Sequence, residues 1–287
     1  TTHEGDMMRS SLPFAAKILA IIGFAVLYVP VTLMIIYSFN AGKLTSVWSG
    51  FSAKWYVALF QNDQLLTALG LSVIIAAGAA TLSLVLGTLM ALSLERIGGF
   101  RLRWLLAFLG LAPLVMPEVV TGLSLLLLFI GMETLFGWPS GRGIDTIMIA
   151  HATFGMCFVS VIIQARLADF DNSLEEAAAD LGAGPLTVFY TVTLPVILPA
   201  LIAGWLLAFT LSFDDLVIAS FVSGPGSSTL PIVVFSSVRL GVTPEVNAIA
   251  TLIICIASLA VLVASLFMSR LILYGHRSTE TDTDTGQ

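Results

Sequence analysis

The chain has 287 residues, 57% hydrophobic and only 10% charged, with a mean hydropathy of +1.00. Soluble domains carry about 45–50% apolar and about 25% charged residues, so this composition excludes a soluble enzyme and a disordered protein. The formal net charge of −6, with a pI near 4.9, offers no basic footprint for nucleic acid. Cys157 and Cys255 stand far apart inside apolar runs, without CxxC or Cys/His spacing, which indicates neither a disulfide framework nor a zinc site. What remains is an integral membrane protein.

A spanning helix needs about 20 mostly apolar residues, because lipid cannot satisfy free backbone groups. The charge-free stretch between Lys17 and Lys43 predicts a first span over 18–39. Its apolar core is too long for a secretory signal, and no small-x-small cleavage site follows at Tyr37-Ser38-Phe39, so it is read as a retained helix. The second span is predicted over 66–94. On it Ala79, Ser83, Gly87 and Ala91 recur every fourth residue and form a small-residue face for close helix approach, either inside the chain or against a second subunit. The third apolar stretch, 104–132, contains Pro113, Pro117 and Glu118. It is predicted to break there, with Pro117 near the first position of a new helix and Glu118 in its first turn, where the helix dipole favours an acid. Further spans are predicted over 146–165, 194–213 and 247–269.

The expected architecture is therefore all-α with six transmembrane helices: a tail over 1–17, a membrane domain over 18–270 and a tail over 271–287. Both tails read as disordered, the last ten residues being rich in Thr and acids. With the N-terminus inside, Arg9, Lys17, Arg96, Arg101, Arg103, Arg166, Arg270 and Arg277 lie on the cytoplasmic side, against Lys43, Lys54, Arg142 and Arg239 outside. That excess predicts both termini in the cytoplasm.

The cytoplasmic segment 166–193 reads as structured. Asp171 to Gly182 predicts a short helix with Ser173 as N-cap and Glu176 completing a capping box, while Gly182 suits a left-handed C-terminal cap. Pro185 opens a second short helix that runs into Val192-Thr193-Leu194-Pro195. Five acids (Asp169, Asp171, Glu175, Glu176, Asp180) face only Arg166 in this segment. An acidic surface is repelled by the anionic inner leaflet, so a protein partner is the better reading.

Glu176-Ala177-Ala178, three residues, Gly182, nine residues and Val192-x-Leu194-Pro195 resemble the EAA loop of ABC-importer permeases, with Val192 in place of Ile. The resemblance implies a type I ABC-importer permease fold. It also implies that Glu176, Ala177, Ala178, Gly182, Leu194 and Pro195 belong to a coupling helix-turn-helix that docks on an ATP-binding subunit. A phosphate-binding loop needs G-x-x-x-x-G-K-[ST], whereas the only Gly-Lys pair, Gly42-Lys43, precedes Leu44. No catalytic residue, cofactor or metal is therefore expected on this chain, and ATP with its magnesium belongs to partner subunits.

Glu118, Asp214 and Asp215 stand at membrane depth, where a charge costs about 2.5–3.5 kcal/mol on insertion scales, and no Lys or Arg lies within a span to pair with them. Acids facing a cavity would attract a cation. Glu118 also suits a structural cap at the break, and the aspartates a solvated outer mouth. Trp205, Phe209 and Phe213 form one stripe that could supply cation–π contacts, or else face lipid or pack.

Three groups of segments resemble the putrescine/spermidine permease subunits, closest to the second permease of the putrescine-type system. They are Ser212-Phe213-Asp214-Asp215-Leu216-Val217-Ile218-Ala219-Ser220-Phe221; Val234-Phe235-Ser236-Ser237-Val238-Arg239-Leu240-Gly241; and Pro113-Leu114-Val115-Met116-Pro117. This resemblance implies a partner permease in a heterodimer, two ATP-binding subunits, an extracytoplasmic polyamine-binding protein and a place in the bacterial cytoplasmic (inner) membrane. Two rivals stand beside it. One is the same machine carrying sulfate, molybdate or ferric iron, of which the unpaired acids disfavour the oxyanions. The other is a stand-alone secondary transporter, which an inverted repeat would favour and which shows none here.

Overall fold

The computed structural model describes residues 14–44, 47–96, 101–240, 244–259 and 262. In chain order its helices are α1 (Phe14–Ser38), α2 (Lys54–Phe60), α3 (Asp63–Glu95), α4 (Arg103–Val115), α5 (Glu118–Phe136), α6 (Ile144–Ala168), α7 (Ser173–Asp180), α8 (Pro185–Val188), α9 (Leu194–Phe213), α10 (Val217–Val222), α11 (Leu230–Leu240) and α12 (Pro244–Leu259). Among the described residues the only extended pairing is one antiparallel bridge, Asn40 with Phe51. The fold class is all-α, as expected.

Five helical runs are long and apolar enough to cross a membrane: Ala16–Ser38, Asp63–Glu95, Glu118–Phe136, Ile144–Ala168 and Pro185–Phe213. The sixth expected span is described over α12 only. Its remainder, with both predicted tails apart from the start of α1, lies outside the described residues.

The third expected span breaks where the prolines predict, and the fifth differs in shape. The third is two helices. Met116 is extended (φ −80°, ψ 140°) because a residue before proline avoids helical ψ. Pro117 serves as N-cap of α5 rather than its first residue, and Glu118 takes the first position. The fifth runs unbroken from Pro185 to Phe213, so the second short helix of the loop is the start of the span itself. Phe189–Thr193 forms a π-helical turn in which the Leu194 amide donates to the Phe189 carbonyl, five residues back. Pro195 follows directly; proline has no amide to give and crowds the carbonyl four residues back, and a widened turn accommodates it.

The chain divides into two compact units, Asp63–Ser236 and the rest. In the first of these, α3, α6 and α9 form the centre. The small face of α3 is used inside the chain: Ala79, Ser83, Gly87 and Ala91 are all buried. The Ser83 hydroxyl donates to the Ala152 carbonyl (3.2 Å). A Cβ on Gly87 would stand 2.8 Å from both the Met156 carbonyl oxygen and Val159. One apolar cluster joins Ile75, Phe129, Ile147, Phe154 and Ile218, and a second joins Ala91, Val159, Ile163, Ile197 and Ala208.

In the other unit the buried Asn40 organises the turn after α1. Its amide nitrogen donates to the Leu44 and Val47 carbonyls, its oxygen accepts from the Gly42 and Ser49 amides, and its backbone carbonyl accepts from the Trp55 indole (2.6 Å). The Ser38 and Tyr56 hydroxyls meet at 2.7 Å.

Gly87 provides a test of the α3–α6 contact. Gly87→Leu is expected to destabilise the protein by about 1–3 kcal/mol through overpacking, read as a lower melting temperature in detergent. Gly23, whose Cβ would meet nothing within 4 Å, is the control: Gly23→Leu should leave the melting curve in place.

Candidate functional site

The loop between α6 and α9 is built as a bent pair of helical turns. Its start departs from the expected capping box. Ser173 is the first helical residue rather than the N-cap, and Asn172 precedes it with helical backbone angles. The Ser173 amide donates to the Asp171 carboxylate (3.0 Å), so the acid two residues earlier takes the capping role. The Ser173 hydroxyl and amide hold the Asp171 carboxyl below its ordinary range. The Glu175 and Glu176 amides both donate to the Asn172 carbonyl, which occupies the donors a Ser173 cap would have used.

The end of α7 follows expectation. Gly182 has φ +87°, its amide donates to Ala179 and the Ala183 amide donates to Ala178, a Schellman closure that L side chains resist. Pro185 then opens α8.

α7 buries none of its side chains. Glu176 and Ala177 are exposed and Ala178 is half-buried; Leu194 is half-buried and Pro195 exposed. Beside them stand apolar side chains that the sequence reading passed over: Leu181 is 90% exposed, Leu186 74% and Tyr190 63%. Leu181 lies within the quoted motif spacing as an unspecified position, so its signal was present only as an apolar residue next to a C-cap glycine.

The polar anchoring of α7 runs through Glu175, not Glu176. Arg96, just beyond α3, places Nη2 3.1 Å from the Glu175 carboxylate, donates to the Asn172 side chain and lies over the Phe170 ring at 4.9 Å. The Thr193 hydroxyl donates to the same Glu175 oxygen (2.5 Å). A cavity of about 570 Å³ opens beside them, lined by Leu92, Ala179, Val188 and Phe189 among others. Arg96 entered the sequence reading only as a topological charge.

The three predicted path acids separate. Glu118 is exposed at the start of α5, and Asp214 is exposed at the C-cap of α9. Asp215 turns inward: its side chain is 7% exposed, its carboxylate lies 3.2 Å from His151 Nε2, and it accepts the Ala219 amide at 2.8 Å. The other ring nitrogen of His151 lies 2.7 Å from the Ser212 hydroxyl. His151, a polar residue in the middle of α6, is the partner that a reading limited to Lys and Arg does not reach. That position is itself a signal, since polar groups in a span need partners. Trp205, Phe209 and Phe213 stack with centroids 5.4 and 5.9 Å apart, and the indole of Trp205 donates to Thr81 on α3 (3.2 Å). Asp214 directly follows this aromatic column. Among the described residues no group of His, Cys, Asp and Glu could hold a metal ion.

Residues 83–273 match the family described as "binding-protein-dependent transport system inner membrane component". The chain is 54% identical over 253 residues to the putrescine transport system permease protein PotI of Escherichia coli K12, covering 88% of this chain and 90% of that one. It is 43% identical over 249 residues to the spermidine/putrescine transport system permease protein PotC of Haemophilus influenzae, covering 86% and 93%. Among solved structures, a bacterial ABC transporter involved in import of the acidic polysaccharide alginate superposes with a TM-score of 0.66 at 18% identity, over 88% of this chain and 94% of that one. At that identity the likeness is one of fold.

The two aspartates should behave differently on substitution. Asp215→Ala removes the carboxylate beside His151 Nε2 and the acceptor of the Ala219 amide and is expected to cost about 1–3 kcal/mol for each polar group left unsatisfied. Asp214→Ala is expected to stay within about 0.5 kcal/mol. Thermal unfolding of both variants in detergent checks the order.

Proposed function

The chain belongs to the family of binding-protein-dependent transport system inner membrane components, and on that premise we propose that it is a permease subunit of an ATP-driven polyamine importer, carrying putrescine, spermidine or both. The observation that carries the substrate class is the extent of its identity with the putrescine permease. The exposed apolar and acidic surface of the loop supports a protein partner there, and the aromatic column ending at Asp214 supports a cationic solute.

In this reading the chain forms half of a path with a second permease. Two ATP-binding subunits supply ATP and magnesium, and an external binding protein delivers the solute. Both termini and the α7–α8 loop face the cytoplasm of a bacterial inner membrane. Closure of the ATP-binding dimer moves the loop through Glu176, Ala177, Ala178 and Gly182, and Leu194 and Pro195 pass the movement into α9. The chemistry of hydrolysis stays on the partners, and this chain contributes shape, orientation and charge. Along the path, Trp205, Phe209 and Phe213 offer ring faces to the methylenes and ammonium groups of a polyamine. Glu118 and Asp214 offer separated carboxylates. Asp215, held by His151, acts from behind by fixing the turn that presents Asp214.

Two measurements test this. Cells lacking their own polyamine uptake should accumulate labelled putrescine or spermidine when given this chain with its partner subunits, and Glu118→Gln with Asp214→Asn should raise KM for that uptake. No uptake above background when the chain and its partner subunits are supplied would remove the substrate assignment. Gly182→Val, which forces a β-branched residue to φ +87° at a cost of about 1–3 kcal/mol, should lower the number of solute molecules moved per ATP. A wild-type ratio in that variant would take the bend out of the mechanism.

A further inference from the structure

We propose that Arg96 is a positioning residue for coupling: a guanidinium clamp that ties α7 to the end of α3 and, through Glu175 and Thr193, to the start of α9. The inference rests on the proposed role of the loop and goes beyond it by naming the residue through which the loop is connected to the helices.

The argument begins with what does not hold α7. None of its side chains is buried, and a cavity of about 570 Å³ lies along its inner side. Apolar packing therefore cannot carry much of a displacement from α7 into the helices beneath. The polar contacts are different in kind, because they converge. Arg96 contacts three groups of the loop: the Glu175 carboxylate at 3.1 Å, the Asn172 side-chain oxygen and the face of Phe170 at 4.9 Å. Glu175 also accepts from Thr193, which is buried at the last position of the π-helical turn. One carboxylate on α7 thus joins two helices. A planar fork that donates one hydrogen bond to Asn172, sets its other nitrogen in an ion pair with Glu175 and stacks on Phe170 resists rotation in a way that a point charge on lysine does not.

The clamp is also built to be released and remade. The Arg96 and Glu175 side chains are 25% and 24% exposed, with Nη2 of the pair itself covered, and an ion pair at the edge of the fold adds less to fold stability than one sealed in the core. Its loss should therefore show in coupling before it shows in folding. This separates a positioning role from a merely structural one, in which melting temperature, ATP hydrolysis and transport would decline together.

The test uses the complete complex with its partner subunits in proteoliposomes, reading polyamine uptake, ATP hydrolysis and melting temperature in parallel. Arg96→Gln and Glu175→Gln should each lower uptake per ATP, by a factor within the roughly two- to thirtyfold range of substitutions along a coupling network, with little change in melting temperature. Arg96→Lys should fall between. The exchange Arg96→Glu with Glu175→Arg should recover a substantial part of the ratio lost in either charge reversal alone. A wild-type ratio in Arg96→Gln, or an exchange no better than its single variants, overturns the proposal. If the unaltered complex takes up neither polyamine, the transport reading fails while the clamp is still judged. A cysteine introduced at Thr81 on α3 should then change its labelling rate on ATP addition in the unaltered background. Loss of that change in Arg96→Gln supports the clamp, and its persistence overturns it.

Discussion

The close approach of α3 to α6 is the contact on which the larger unit depends. Lipid offers no hydrogen bonds and no hydrophobic force between helices, so their association rests on dispersion and on polar groups that find partners at the seam. Gly87 and Gly155 let the two backbones come near enough for Ser83 to reach the Ala152 carbonyl. With that distance set, the neighbours fall into place. Cys157 on α6 reaches the Gly110 carbonyl on α4 (2.9 Å), Thr146 reaches the Val222 carbonyl at the end of α10 (2.8 Å), and Ser72 on α3 accepts the Leu230 amide (2.8 Å). Each bond satisfies a group that hydrocarbon would leave bare, and each crosses between elements.

Where the helices break or loosen, polar function collects. The break at Met116-Pro117 puts Glu118 at a helix start, and the break at Asp214 to Leu216 separates an exposed acid from a buried one. The π-helical turn over Phe189–Thr193 loosens the run without interrupting it. Because that run continues for 29 residues, about 43 Å at helical rise, one rigid element has Thr193 and Pro195 near one end and Phe213 with Asp214 at the other. In the proposed coupling, a displacement of the loop is passed toward the acid end through a run whose weak points are the turn beside Pro195 and Pro199 within α9.

Much of this was legible from sequence because membrane physics leaves a strong imprint. Apolar length marks the spans, proline marks the break before Glu118, and glycine marks the left-handed end of α7. The failures were of two kinds. The capping box was a local pattern in which Ser173 and Asp171 compete for the same amides, and the spacing of side chains does not say which wins. The partner of Asp215 lies 64 positions away on another helix, and the clamp joins Arg96 to Glu175 across 79. Pairings over such separations depend on how the helices assemble, and no periodicity records that.

The two carboxylate–nitrogen pairs differ in burial, and with it in the roles they suit. His151 and Asp215 are 2% and 7% exposed, and in that setting removing either partner strands a polar group in an apolar core, at a cost of several kcal/mol. Arg96 and Glu175 stand at the edge of the fold, 25% and 24% exposed, where a pair contributes less than one sealed in the core. If Asp214 serves the path as proposed, the turn that presents it needs the first kind of bond. A loop that must follow a partner subunit through closure and reopening needs the second, strong enough in number to orient α7 and weak enough singly to exchange with water. The difference follows from burial alone: each uses a single carboxylate with a nitrogen base, and depth in the fold decides whether the pair fixes or yields.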